Sequence, residues 1–253
     1  MTKIETFRAL HIPGDPLVLF NIWDAGSAKT VASAGAKAIA TGSYGVACAR
    51  GSSDGENLSL DAALANLGEI LGVTELPVSI DMEAGYGADA AAVGRSVARA
   101  QAAGAAGINM EDRMPGETAL LALGQAGARI EAAAATGLFV NARCDVFRGQ
   151  DAVADGDTLV AATLERARAY ADAGAGGLFV PFLADARCIA AICEASPIPV
   201  NILWSLPCGD RAALASLGVA RISHGHQPWA AAMAWLGAEA ATVLGGGVPG
   251  YVE

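Results

Sequence analysis

Short apolar runs alternate with longer amphipathic stretches along the whole chain. Eight runs read as strands: Leu17–Trp23, Ala38–Tyr44, Pro77–Glu83, Gly107–Glu111, Leu138–Cys144, Gly177–Pro181, Pro199–Leu203 and Ala220–His224. Each is short, mostly apolar and β-branched, as expected of strands buried on both faces. Between them Ala88–Ala103, Thr158–Ala173 and Asp210–Leu217 read as helices. The phrases Ser33-Ala34-Gly35-Ala36, Ala102-Ala103-Gly104-Ala105 and Asp172-Ala173-Gly174-Ala175 recur just before a strand. Each places a glycine where a helix needs its C-terminal stop. No Gly-x-Gly-x-x-Gly follows an early strand, which argues against a doubly wound dinucleotide-binding domain. Eight strand–helix units without a linker predict a single (β/α)8 TIM barrel over 1–253, with 227–253 as a C-terminal helix and tail.

Composition agrees with one large core. Of 253 residues, 53% are hydrophobic and only 17% charged, while aromatics supply 6%, so small aliphatic side chains do most of the packing. The net charge is −10, which excludes a broad basic face for nucleic acid. No uninterrupted apolar stretch has the length of a membrane span, and the first residues have no secretory-signal pattern. Five scattered cysteines without a Cys-x-x-Cys read as free thiols of a cytoplasmic enzyme.

In such barrels the chemistry sits at the C-terminal ends of the strands, and the polar residues of this chain gather there. Asp81-Met82-Glu83 ends the third run, Asn109-Met110-Glu111-Asp112 the fourth, Asn141-Ala142-Arg143-Cys144-Asp145 the fifth, and His224-Gly225-His226 the eighth; Asn201 lies in the seventh. Residues two apart on a strand share a face, so Asp81 with Glu83, Asn109 with Glu111, and Arg143 with Asp145 are expected to point together. Carboxylates crowded into an apolar barrel need compensation, and a hard divalent cation supplies it. Asp81, Glu83 and Glu111 are therefore the candidate ligands for Mg²⁺, with Mn²⁺ as the alternative. Arg143 adds positive charge for a carboxylate or a developing enolate. Structural alternatives stand beside these roles. The acids can pair with backbone amides or Arg143, Asp24 can cap the following helix, His224 and His226 can be satisfied rim residues, and Cys144 reads as packing against a helix.

Three segments in this order and spacing carry a resemblance: Asp81-Met82-Glu83-Ala84-Gly85-Tyr86-Gly87, Gly107-Ile108-Asn109-Met110-Glu111-Asp112 and Asn141-Ala142-Arg143-Cys144-Asp145. Together with Thr41-Gly42-Ser43-Tyr44-Gly45-Val46-Ala47 and Asp54-Gly55-Glu56, they resemble the isocitrate lyase/phosphoenolpyruvate mutase superfamily. The resemblance runs from about Phe20 to about His226. It implies a Mg²⁺-dependent barrel acting on small anionic 2-oxo or 2-hydroxy acids, with C–C or P–C bonds cleaved or formed through an enolate. It implies that Asp81, Glu83 and Glu111 hold the metal, partly through water, and that Arg143 steadies the enolate oxygen. Gly42, Ser43 and Tyr44 would then offer backbone amides to the substrate carboxylate, Asn201 and His226 would line the substrate site, and Arg50–Glu56, with Asp54, would form a mobile lid. It also implies a homo-oligomer, a tetramer or dimer, in which a C-terminal helix can swap between subunits.

One departure narrows the chemistry. Isocitrate and methylisocitrate lyases carry a Lys-(Lys/Arg)-Cys-Gly-His segment after the fourth strand, whereas this chain has Arg113-Met114-Pro115-Gly116-Glu117-Thr118-Ala119. Without that cysteine, decarboxylation or another simple C–C cleavage of an oxaloacetate-like acid is the favoured expectation. Asp54, Tyr44 and His226 are the candidates for proton transfer. The alternatives are P–C chemistry of the phosphoenolpyruvate mutase or phosphonopyruvate hydrolase kind, a ketopantoate hydroxymethyltransferase-like transfer, and a non-catalytic 2-oxo-acid-binding barrel.

Overall fold

A computed structural model describes Met1–Tyr251; Val252 and Glu253, the end of the expected tail, lie outside the described residues. The strands are β1 (Leu17–Leu19), β2 (Ile39–Ala40), β3 (Val78–Asp81), β4 (Gly107–Glu111), β5 (Phe139–Arg143), β6 (Gly177–Val180), β7 (Val200–Leu203) and β8 (Arg221–Ser223). All pairs are parallel, in the order β1-β8-β7-β6-β5-β4-β3-β2. The ring closes between β1 and β2 through Ile22, which bridges Thr41 and bonds to the Ala40 carbonyl at 2.9 Å. The result is a (β/α)8 TIM barrel. Every strand is shorter than or equal to its expected run, because loops and helix starts take over the run ends.

The helices are α1 (Lys3–Ala9), α2 (Ala25–Ser33), α3 (Ser43–Ala49), α4 (Leu60–Leu71), α5 (Ala90–Ala102), α6 (Leu123–Ala134), α7 (Ala152–Asp172), α8 (Ala186–Ala195), α9 (Arg211–Ser216) and α10 (Gln227–Leu244). Acidic N-caps start several of them. Asp24, Asp89, Asp185 and Asp210 each accept a hydrogen bond from an amide three residues on. The expected stops also form: Gly35, Gly104 and Gly174 have φ of 95°, 101° and 91° just past α2, α5 and α7.

The main core lies between sheet and helices and is built from residues such as Ile80, Val97, Ile108, Val140 and Ile192. Each such side chain contributes about 1.5–3 kcal/mol by leaving water. A second cluster closes the N-terminal end of the barrel. There α1, with a Thr2–Glu5 capping box, inserts fully buried Phe7 edge-on against Phe139. His11 stacks on the same ring, and burial in this plug lowers its pKa to about 3. Gly107 makes room for the plug, since a Cβ there would lie 2.7 Å from the Phe7 ring. With this end sealed, ligand access is confined to the C-terminal end. Among the described residues no helix is long and apolar enough to cross a membrane.

Candidate active site

A cavity of about 250 Å³ opens where the strands end. Asp81, Asn109, Arg143, Arg148 and Ser223 make its polar side, and Phe179, Pro181, Phe182 and Leu203 its apolar side. Gly42, Ser43, Tyr44, Asp54 and His226 stand around the rim. A roomier groove of about 520 Å³ lies outside the barrel against β1 and α2, but its largely apolar lining groups no acids with an arginine at strand ends. The smaller cavity is therefore the candidate site.

Asp81 is the last residue of β3 and lines the cavity from the barrel side. Its Oδ2 accepts from the Ser43 amide at 3.1 Å and its Oδ1 from the Glu83 amide at 3.2 Å. Burial raises its pKa against the opposing effect of these bonds. Glu111, at the end of β4, pairs with Arg143 Nη1 at 2.9 Å, and burial lifts its pKa to about 7. Asp81 and Glu83 add to that rise by like-charge repulsion.

Glu83 departs from the expected shared face with Asp81. It lies beyond β3 with φ of 49°, so strand alternation no longer governs its side chain. The carboxylate turns instead toward the loop before α4. Its Oε2 accepts from the amides of Gly55 and Glu56 at 2.7 and 2.6 Å, and its Oε1 from the Tyr86 hydroxyl at 3.0 Å. Burial, then repulsion from Asp81, raises its pKa to about 7. The Glu56 carboxylate accepts from the Tyr86 amide at 2.8 Å. The loop Arg50–Glu56, expected as a lid, is thus tied to an acid of the site, and exposed Asp54 lines the cavity.

Arg143 ends β5 and is gripped on two sides. Asp145, in the short 3-10 turn Asp145–Phe147, accepts from its Nε at 2.7 Å and its Nη2 at 2.9 Å. Asp145 is buried and also meets Arg113 at 3.5 Å and Arg148 at 3.3 Å. Burial alone would depress the pKa of Arg143, but Glu111 and Asp145 hold it above the usual value. A guanidinium has five N–H donors; two are hydrogen-bonded to Asp145, while Nη1 stands at ion-pair distance from Glu111 with no hydrogen bond to it.

The remaining candidates separate. The Gly42 amide bonds to the Ile22 carbonyl at 3.2 Å and the Ser43 amide is held by Asp81, so neither is free as expected. The next amides, of Tyr44 and Gly45, open the first turn of α3, whose N-cap Gly42 has no side chain to cover them. Tyr44 and His226 meet edge-on at 5.4 Å between ring centroids. Asn201 sits beneath the cavity rather than on its wall, fully buried and bonded to Ser223 at 3.1 Å. His224 is drawn off by stacking on Trp204. Asp24 is the cap of α2, and Cys144 is buried in the main core, where burial pushes its thiol pKa up.

Sequence reasoning passed over Arg148, Phe182 and Ser223 as cavity residues, and placed Asn109 at the strand-end mouth without giving it a role. Arg148 and Phe182 follow their strands by loop residues, where the period-two signal has ended. Phe182, with φ of 66°, lies under both arginines, 6.0 Å from Arg143 and 5.4 Å from Arg148.

A family model described as phosphoenolpyruvate phosphomutase matches residues 7–244. The chain belongs to the phosphoenolpyruvate phosphomutase family. It is 38% identical over 236 residues to an uncharacterized protein of Mycobacterium tuberculosis, covering 90% of this chain and 84% of the relative. The 2-methylisocitrate lyase of Salmonella typhimurium is 30% identical over 209 residues, 78% of this chain and 68% of the enzyme. Among solved structures, a candidate phosphonomutase from Burkholderia cenocepacia J2315 superposes with a TM-score of 0.91 at 45% identity, covering 97% and 98% of the two chains. Phosphonopyruvate hydrolase and oxaloacetate acetylhydrolase, at 23% and 22% identity, share the fold with TM-scores of 0.81 and 0.84. The match thus puts this phosphomutase-family barrel in the phosphoenolpyruvate mutase/isocitrate lyase superfamily.

The acids of this family member suit a hard cation. Oxygen donors predominate, and burial first, with like-charge repulsion among the acids adding to it, raises the pKa values of both glutamates. Among the described residues no three acidic, His or Cys side chains converge on one point. Mg²⁺ keeps several of its waters and takes one or two carboxylates directly. Asp81 is the direct candidate, with Glu83 and Glu111 behind it.

Proposed function

We propose that the protein is a Mg²⁺-dependent carbon–carbon lyase. Its substrate is a small 2-oxo or 2-hydroxy di- or tricarboxylic acid cleaved through a pyruvate-type enolate, with oxaloacetate decarboxylation favoured. The observation that carries this is a cavity uniting Asp81, a twice-gripped Arg143 and Arg148, with no cysteine on its wall among the described residues. Thiol acid chemistry has no group to perform it there. Relatives supply context. One superfamily structure, phosphonopyruvate hydrolase, was solved with oxalate and Mg²⁺, and another, oxaloacetate acetylhydrolase, with oxalate.

Asp81, Glu83 and Glu111 would hold the cation, which when bound supplies Lewis-acid stabilisation of negative charge on a substrate oxygen. The open amides of Tyr44 and Gly45 receive the carboxylate next to the 2-oxo group. Arg143 directs N–H groups not bonded to Asp145 at the 2-oxo oxygen. The C3–C4 bond breaks, its electron pair becomes the C2–C3 double bond, and the carbonyl pair moves onto oxygen while CO₂ leaves. Arg143, already held in place by Glu111 and Asp145, stabilises that oxygen without reorganising. Arg148 offers charge to a second anionic group. Tyr44 and His226 stand at the rim to return a proton to C3, and Asp54 is placed to take the hydroxyl proton of a 2-hydroxy acid. Phe179, Phe182 and Leu203 limit water around the nascent carbanion.

Two further properties belong to this proposal. The five cysteines are all free, which fits a reducing cytoplasm. Helix α10 exposes Trp235, Leu236, Val243 and Leu244 and buries only Pro228, which fits a homo-oligomer in which α10 packs on a second copy.

The test is a Mg²⁺-dependent panel of oxaloacetate, substituted malates, methylisocitrate and phosphonopyruvate, read by pyruvate or glyoxylate formation. Pyruvate from oxaloacetate is expected. A second reading, P–C bond chemistry, draws on the phosphomutase model and on Asp54 at the cavity. Loss of the phosphonopyruvate signal in phosphorus NMR, with oxaloacetate untouched, would favour it.

A further inference from the structure

Arg221 on β8 is the largest side chain fully removed from solvent. It lies inside the barrel, beneath the cavity, and its bonds go to neutral groups. Its Nε donates to Ser223 Oγ at 3.2 Å and its Nη2 to Asn109 Oδ1 at 3.1 Å, while Nη1 has no partner. Placing a guanidinium here is costly, and burial lowers its pKa to about 9, so it still carries charge at neutral pH.

This contact decides how Asn109 is turned. A guanidinium only donates, so the Asn109 atom facing Arg221 must be its amide oxygen. The same oxygen accepts from Asn141 Nδ2 at 2.9 Å. Two donors below therefore hold the oxygen down inside the barrel, and the –NH₂ end is left for the other side. Asn109 lines the cavity and is in strand register with Asp81, and none of the hydrogen bonds among the described residues uses its Nδ2.

We propose that Asn109 is a substrate-binding residue whose side-chain amide donates from the cavity floor to an oxygen of the bound 2-oxo acid, and that Arg221 is the positioning residue that keeps the donor end upward. The role rests on the acid-cleaving function proposed above. It gives the floor a fixed neutral donor beside Asp81, which selects a carbonyl, enolate or carboxylate oxygen there over a hydroxyl hydrogen.

The substitution Asn109→Asp separates this role from a structural one. The aspartate keeps an oxygen for Arg221 and Asn141 and gives the buried guanidinium a carboxylate, so the thermal midpoint should hold or rise. The cavity side loses a donor and gains negative charge. Oxalate binding in the presence of Mg²⁺, measured by calorimetry, should weaken by about tenfold or more. Arg221→Met should also weaken it, and Arg221→Lys should restore part of the loss. Unchanged oxalate affinity in Asn109→Asp overturns the assignment and leaves the proposed function standing. A wild-type protein that does not bind oxalate with Mg²⁺ overturns both. If the variants do not fold, a crystal structure of the wild type with oxalate and Mg²⁺ decides. Asn109 Nδ2 at hydrogen-bond distance from an oxalate oxygen supports the proposal, and an Asn109 amide turned away from the ligand overturns it.

Discussion

Asp145 holds Arg143 through two parallel hydrogen bonds, Nε to Oδ1 at 2.7 Å and Nη2 to Oδ2 at 2.9 Å. A fork of this kind fixes both the position and the plane of the guanidinium. Asp145→Asn keeps the volume but breaks one arm and leaves three arginines short of a counter-charge. Misplacing an orienting group by about 1 Å costs on the order of a hundredfold, so kcat/KM should fall by roughly that factor, mostly in kcat. Steady-state kinetics with the best substrate of the panel checks it.

Arg143→Lys should fail for a related reason. Lysine keeps the charge but cannot satisfy Asp145, Glu111 and a ligand in one plane. Turnover should drop by roughly a hundredfold or more while circular dichroism stays unchanged. Wild-type turnover in this variant would remove Arg143 from the mechanism.

The latch between Glu83 and the amides of Gly55 and Glu56 predicts a change in lid opening. Glu83→Gln removes the charge from both bonds, and charge-assisted bonds contribute about 1.5–3 kcal/mol. Tryptic cleavage after Arg50, at the base of the lid, should accelerate by roughly tenfold. An unchanged cleavage rate would mean that the lid is held by something other than Glu83.

The raised pKa values of Glu83 and Glu111 set a pH dependence. Burial lifts both to about 7, from the ordinary glutamate value of 4.5. Between these limits the folded protein binds more protons than the unfolded chain, so metal-free stability declines as pH rises from about 4.5 through 7. A bound cation favours the ionised forms. The rise in thermal midpoint on adding Mg²⁺ should therefore be larger at pH 8 than at pH 6. An equal shift at both pH values would contradict metal binding by these acids.

Helix α10 should mediate self-association. Light scattering should give a multiple of the 25.3 kDa chain mass, and Trp235→Glu combined with Leu236→Glu should give the monomer. A monomeric wild type would remove this role.

Much of the barrel was legible in the chain because its signals are local. Apolar runs marked all eight strands, and the glycines at 35, 104 and 174 marked three helix ends. The strand-end acids could be placed near one mouth for the same reason. What escaped depended on backbone turns and on distant partners. The left-handed turn at Glu83 sent its carboxylate to the lid, which no period-two count foresees. Asn201 lies one layer too deep because its strand enters below the floor. The α1 plug pairs Phe7 with Phe139, residues 132 positions apart, and a seven-residue helix gives little periodic signal. Arg221 gave no warning either, since a lone arginine in an apolar run looks like a strand end until its burial is seen.

In the proposed function Asp81 and a divalent cation act together in breaking a C–C bond. The most direct measurement compares pyruvate formation from oxaloacetate by the wild type and by Asp81→Asn, each with Mg²⁺ and with chelator, against the uncatalysed rate in the same buffer. Mg²⁺-dependent turnover by the wild type, abolished by chelator and reduced by roughly a hundredfold or more in a folded Asp81→Asn variant, is the predicted result. Undiminished Mg²⁺-dependent turnover in Asp81→Asn, or a wild-type rate equal to the uncatalysed one, would contradict it.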